Sequence, residues 1–238
     1  MQKTKNAIRY FSTGEIALWG ASVALIALSF CAFDGENYMT LLASVIGVTS
    51  LIFNAKGNPL GQLLMVVFSL LYGAISWSFR YYGEMITYLG MTMPMAVIAL
   101  VSWLRNPYDG NRAEVAVNHL RAGEWAVMAL ITVPVTAAFG LMLRAFGTAN
   151  LVPSTVSVLT SFAAAYLTFR RSPYFALAYA MNDVVLVVLW LLASAQDVRY
   201  VAVVVCFAAF LLGDMYGFLS WRRMGRRQAT ALHGASDR

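Results

Sequence analysis

Long apolar runs separated by short polar connections set the pattern of this chain. The runs fall at 16–33, 38–54, 60–79, 84–104, 124–143, 154–169, 174–194 and 200–219. A bilayer's hydrocarbon layer is about 30 Å thick and a helix rises about 1.5 Å per residue, so roughly 20 apolar residues cross it. Each run has about that length. In lipid the backbone must satisfy its own polar groups, so runs this long and this poor in Gly-Pro punctuation are read as helices rather than strands. The pattern predicts an all-α polytopic membrane protein with eight transmembrane helices. Pro94 and Pro134 fall inside the fourth and fifth runs, where kinks are expected.

The connections then orient the spans. Of the 17 Lys and Arg residues, 14 fall on the side that bears both termini, and Arg80, Arg144 and Arg199 fall on the other. Basic residues stay cytoplasmic, so both termini are expected inside the cell, with the chain in the inner (plasma) membrane. The net charge of +6 belongs to that face and does not call for a nucleic-acid partner. The tail WRRMGRRQ reads as a stop-transfer flank beside anionic headgroups. Composition agrees: at 60% hydrophobic and 12% charged residues, a soluble fold would leave too much apolar surface without cover. The first run is too long for a signal peptide and lacks a small-residue cleavage site, so it is expected to stay as a span. Cys31 and Cys206 are isolated and fit buried apolar positions, with no disulfide framework or metal site.

Comparing the chain with itself exposes a repeat. Pro59 in FNAKGNPLG answers Pro173 in FRRSPYF at a separation of 114, and Ser102-Trp103 answers Ser220-Trp221 at 118. Trp77 and Trp190, 113 apart, take similar places in their spans. Spans two to four thus look like a copy of spans six to eight. The fifth span between them keeps both units in the same orientation, giving a parallel 3+1+3 repeat plus an extra N-terminal helix. The expected segments are an N-terminal tail and extra helix (1–37), a first three-helix repeat (38–104), a cytoplasmic loop and linker helix (105–153), a second repeat (154–221) and a basic tail (222–238). In transporters built of repeats, the substrate site lies near the midplane where the halves meet.

The run YAMNDVVLVVLW places Asn182 and Asp183 inside the seventh span. An ionisable residue there costs about 2.5–3.5 kcal/mol on insertion scales, so it faces a cavity or a partner and is a functional candidate. At 100° per residue, Tyr179 and Trp190 share its face and Asn182 borders it. Two aromatics, an amide and an acid on one stripe suit a flat polar ligand, and the aromatics would also attract a cationic ring. The bland alternative is polar glue between helices. Asp214 is a second intramembrane acid that could instead bond an Arg of the tail. Gln62 and Trp77 are the expected contribution of the first repeat, although capping also suits Gln62. Glu84 beside Arg80 reads as an exposed pair. Tyr81, Tyr82, Trp103 and Trp221 read as interfacial anchors, and His119 and His233 fall in cytoplasmic segments.

In these residues the chain resembles the PnuC-type vitamin transporters, whose best-known members carry nicotinamide riboside. The resemblance covers roughly residues 38–224 and rests on SPYFALAYAMND…W and DMYGFLSW, where Asn182, Gly217 and Trp221 match the family pattern. Asp214 stands where the family ending has Asn, and Phe68 and Ala96 occupy the first-repeat places that answer Asn182 and Asp214. The resemblance implies uptake of a vitamin or nucleoside by facilitated diffusion, with a cytoplasmic kinase trapping the product as a functional partner. Relatives assigned to thiamine, riboflavin or deoxynucleosides keep those alternatives open. No enzyme activity, catalytic residue, cofactor or metal is expected, since no phosphate loop, H-E-x-x-H or G-x-S-x-G turn occurs. Asp183 with Asp214 as an aspartyl pair of a membrane-embedded enzyme, and a non-transporting scaffold, are the readings from other classes. A homo-oligomer stays open.

Overall fold

In the computed structural model the described residues are 10–78, 82–148 and 150–236, with side chains described through residue 231. Among them, eight helices are long and apolar enough to cross a membrane. They are α1 (Thr13–Ser29, continued by a π turn Phe30–Asp34), α2 (Tyr38–Ala55), α3 (Leu60–Ser78), α4 (Tyr82–Arg105), α5 (Ala122–Ala145), α6 (Leu151–Phe169), α7 (Tyr174–Ser194) and α8 (Val201–Ser236). Between α4 and α5 runs a short antiparallel hairpin, β1 (Pro107–Tyr108) and β2 (Asn111–Val115). Lys3, Lys5, Arg9, Arg80, Tyr81 and Arg238 lie outside the described residues, and so does the side chain of His233.

The helices are built as bilayer physics requires. Leu130, Val133, Leu141, Val152 and Leu212 face outward, each more than half exposed, a pattern that a water-soluble chain would not support but lipid does. Many Ser and Thr hydroxyls turn back onto the preceding turn, as Ser44 Oγ does on the Thr40 carbonyl and Ser69 Oγ on that of Met65, which satisfies them within their own helix, whereas those of Ser29, Thr40 and Thr136 are buried without a partner. Pro94 is accommodated by a π turn, Tyr88–Thr92, directly before it, and the Met93 N–H reaches back to the Tyr88 carbonyl. The wider turn absorbs the missing proline donor.

Six helices, α2–α4 and α6–α8, form the packed body, and α1 and α5 lie at its edge. Glu15 ties α1 down: it is buried, pairs with Lys56 at 3.2 Å and accepts from the Tyr216 hydroxyl at 2.9 Å. At the end that carries the termini, two bonds cross the body reciprocally. The Trp103 indole donates to the Thr168 carbonyl at the end of α6, and the Trp221 indole donates to the Asn54 carbonyl at the end of α2. Both rings have no solvent exposure, and their centroids are 5.3 Å apart. Trp103 and Trp221 are therefore core residues, which corrects the interfacial expectation. Ser-Trp near a span end could not be told from an anchor by position alone.

The ends of α2 and α6 are closed alike. Asn58 N–H bonds to Phe53 O and Ser172 N–H to Leu167 O, with Gly57 and Arg171 in the left-handed region between. Glycine adopts that conformation freely, whereas arginine needs support. Asn118 supplies it, donating from its backbone N–H to Arg171 O and from its side chain to Arg170 O. Val115 N–H donates to Gly57 O in the same way.

The eighth helix runs on past the expected boundary. It continues through the basic tail to Ser236, and Gln228 bonds Val117, Glu114 and Val115 while Arg227 pairs with Glu114. WRRMGRRQ is thus a docked helical turn as well as a basic flank. Cys206 is buried as expected, but Cys31 is exposed on the outer surface.

Trp103→Phe and Trp221→Phe keep most of the ring packing but remove one of the bonds to Thr168 O and Asn54 O, which keep the backbone N–H groups of Arg171 and Gly57 as partners. Each should lower stability by about 0.5–1.5 kcal/mol, read as a drop in the thermal unfolding midpoint of detergent-solubilised protein.

Candidate substrate site

Along α7 the side chains sort by depth. Phe175 packs on Trp221 at the terminus-bearing end, and Tyr179, Asn182, Asp183 and Leu186 follow one another along a narrow central cavity. Trp190, about 10 Å beyond Asp183 at 1.5 Å per residue, lines a separate cavity toward the opposite end. The central cavity is completed by Asp214, Phe207 and Phe210 of α8, Met65 and Phe68 of α3, Glu84, Thr87, Tyr88 and Thr92 of α4, Leu51 of α2, and Ser157 and Ser161 of α6. All six helices of the packed body meet there. Its free volume is about 50 Å³, room for a few waters.

Two aromatic layers bound this space. Below it lie Trp103, Trp221 and Phe175. Above it Tyr72 and Tyr88 stack with centroids 4.4 Å apart, joined by Phe68 and Phe207 at 5.5 and 6.2 Å from Tyr72. Beyond that layer the outer cavity is lined by Asp34, Thr40, Tyr72, Ser76, Trp190, Arg199 and Tyr200.

The polar groups of the central cavity differ in how far they are satisfied. Asn182 is buried and its Oδ1 accepts from the Thr160 hydroxyl at 2.8 Å. Asp183 and Asp214 are 3% and 5% exposed and face each other across the α7–α8 interface. Asp183 Oδ2 is buried without a hydrogen-bond partner. The expected bond from Asp214 to an arginine of the tail does not form, because those arginines lie about two to four turns farther along a continuous helix. Glu84 is buried as well and points into the cavity, which corrects its reading as an exposed pair. The expected boundary put it at the tip of a span, but α4 begins at Tyr82 and packs inward at once.

Of the residues singled out in the sequence, Tyr179, Asn182, Asp183 and Asp214 come together, and Trp190, Gln62 and Trp77 do not join them. Gln62 is buried near the terminus-bearing end and donates to Asn54 Oδ1 at 2.8 Å. Trp77 is 62% exposed and meets Tyr82 edge-on at the outer surface. The reason is register. The turn residues and prolines answer one another at 114, so the counterpart of Trp190 is Ser76, which does line the outer cavity. Choosing 113 instead rotates the position by about 100° on the helix and sends Trp77 outward. At 114 the counterparts of Tyr179 and Asn182 are Met65 and Phe68, and both line the central cavity. Sequence reading missed Glu84, Tyr88 and the α6 serines; exact 114 spacing carried the only available signal for Phe68.

Comparison with known proteins fits this geometry. Residues 37–223 match the family model described as Nicotinamide mononucleotide transporter. The chain belongs to that family. It is 22% identical over 217 residues to a nicotinamide riboside transporter PnuC of Neisseria mucosa, covering 90% of this chain and 82% of that one. It is 21% identical over 193 residues to the Haemophilus influenzae protein of the same name, covering 81% and 82%. A crystal structure of the vitamin B3 transporter PnuC superposes with a TM-score of 0.79 at 21% identity, over 92% of this chain and 94% of that one, so the two share a fold. The chain is a multi-pass membrane protein of a transporter family, which sets aside the reading of Asp183 and Asp214 as an enzyme's aspartyl pair.

Two substitutions separate the cavity from its surroundings. Trp77→Ala, at an outward-facing position, should leave ligand affinity unchanged in isothermal titration. Thr160→Val removes the donor to Asn182 and should lower the unfolding midpoint by the equivalent of about 0.5–1.5 kcal/mol.

Proposed function

We propose that this protein carries nicotinamide riboside, or a closely related vitamin or nucleoside, across the inner membrane by facilitated diffusion, with phosphorylation by a cytoplasmic kinase trapping the product. The observation that carries this reading is the central cavity. Tyr179 and Asn182 of α7 meet aromatic rings from α3, α4 and α8 there, in a chain whose relatives are named for this substrate. A flat ring can lie against Tyr179, Tyr88 or Phe68, and the Asn182 carboxamide has donors to offer a carbonyl or hydroxyl. Among the described residues the cavity lining holds no Lys, Arg or His. The phosphate of a mononucleotide would find no cation there, which favours the riboside. Thiamine, riboflavin and deoxynucleosides remain the alternatives within the family.

The body is best described as a parallel 3+1+3 repeat preceded by α1. The reciprocal indole bonds support this, since the third helix of each unit donates to the end of the first helix of the other. The matched turns at Gly57 and Arg171 support it as well. With the termini in the cytoplasm, as the basic bias favours, the Trp190 cavity is the external vestibule and the Tyr72–Tyr88 layer is the outer barrier. A nucleoside is larger than the narrow central space, so admission requires those rings to change rotamer or the two units to rock apart.

In proteoliposomes, labelled nicotinamide riboside should equilibrate without a proton or sodium gradient. Accumulation above equilibrium that a protonophore abolishes would replace facilitated diffusion with coupled transport. Asn182→Leu should weaken binding about 5-fold to 150-fold, the equivalent of roughly 1–3 kcal/mol for a substrate group left unpaired. Unchanged affinity on monodisperse protein would make Asn182 helix glue. A C-terminal reporter should be active only in the cytoplasm; activity outside would reverse the assignment of vestibule and barrier.

A further inference from the structure

The central cavity contains more acid than a hydrogen-bonding site for a neutral vitamin needs. Glu84, Asp183 and Asp214 enter it from α4, α7 and α8. None of them takes part in the ion pairs found among the described residues, which all lie at the ends of the helices. Asp183 is 97% buried by its 3% exposure, and its Oδ2, in the cavity wall, has no hydrogen-bond partner. A buried carboxyl oxygen with nothing to accept from is a vacant coordination position for a donor or a cation. The remaining wall is aromatic, with Phe68, Tyr88, Tyr179, Phe207 and Phe210 presenting ring faces or edges. Acids and ring faces together attract positive charge.

Among the described residues no three His, Cys, Asp or Glu side chains stand close enough to hold a metal ion. Asp183 and Asp214 are neighbours across the α7–α8 interface and Glu84 enters the space from α4, an arrangement that fits charge spread over a ring.

We propose that Asp183, Asp214 and Glu84 make this a charge-selective site, admitting organic ring cations such as a pyridinium or thiazolium and discriminating against neutral molecules of the same shape. This rests on the reading of the central cavity as the substrate site and narrows it. Nicotinamide riboside and thiamine carry a ring cation, whereas riboflavin and deoxynucleosides do not.

The test uses the full-length protein in detergent and isothermal titration with two probes that differ by charge: nicotinamide riboside and its reduced, neutral 1,4-dihydro form. The wild type should bind the cation at least about 10-fold more tightly than the neutral form. Asp183→Asn, Asp214→Asn and Glu84→Gln are near-isosteric and keep hydrogen-bonding groups, and at least one of the aspartate variants should bring that ratio toward one while retaining affinity for the neutral probe. A structural role alone would lower both affinities together and leave the ratio fixed. Equal wild-type affinities, or a ratio unmoved in every folded variant, overturn the inference. If neither riboside binds, the nicotinamide reading fails separately, and the same comparison is made between thiamine and riboflavin. Binding of thiamine alone then supports charge selection, and binding of riboflavin, or of neither, overturns it.

Discussion

The indole N–H of Trp221, donating to the Asn54 carbonyl near the end of α2, is the bond on which the arrangement of this protein turns, together with its counterpart from Trp103 to Thr168. A helix end leaves carbonyls without intrahelical partners, and at the margin of a bilayer core those groups must be met by protein. Here the closing turns meet them with backbone N–H groups, and at Asn54 and Thr168 a ring from a distant helix adds a second donor. The two rings pack on each other and on Phe175, so a polar obligation and an apolar core are satisfied in one place. The floor of the central cavity follows from this. Asp214 and Tyr179 sit roughly one to two turns above that layer, and their depth is set by the distance along α8 and α7 from Trp221 and Phe175.

Much of this was legible in the chain. Eight apolar runs and their basic flanks determine the number of helices because the thickness of the bilayer leaves little choice of length. The Asn182-Asp183 pair announced a cavity because lipid does not tolerate such a pair. Other features had no comparable signal. Glu84 could not be assigned inward, since at a span end the choice between lipid interface and cavity depends on where the helix starts within two residues. Trp103 and Trp221 follow the composition of interfacial anchors, and only their partners on other helices reveal them as core. Trp77 shows how little error a helix allows: one residue along α3, from Ser76 to Trp77, exchanges a cavity position for an outward one.

The cavity itself combines demands that seldom coincide. Its aromatic roof and floor lower the local polarity, which strengthens the electrostatic interactions inside, and its acids would be costly in such a space without a compensating partner. They stand where all six core helices meet. The serine and threonine hydroxyls around it are mostly turned onto their own helices, which leaves the acids and the Asn182 amide as the groups with capacity to respond to an incoming molecule.

The continuous course of α8 from the membrane into the basic tail gives the last helix the mechanics of a rigid lever. Gln228 lies 14 residues beyond Asp214, a span of about 21 Å at 1.5 Å per residue, and it grips the strand that also holds the turn at Gly57. A tilt of only ~5° about Asp214 would therefore sweep the Gln228 contact through ~2 Å by helix geometry alone. The hairpin and the central space are thus two ends of one continuous helix, and a change of angle at either is carried to the other.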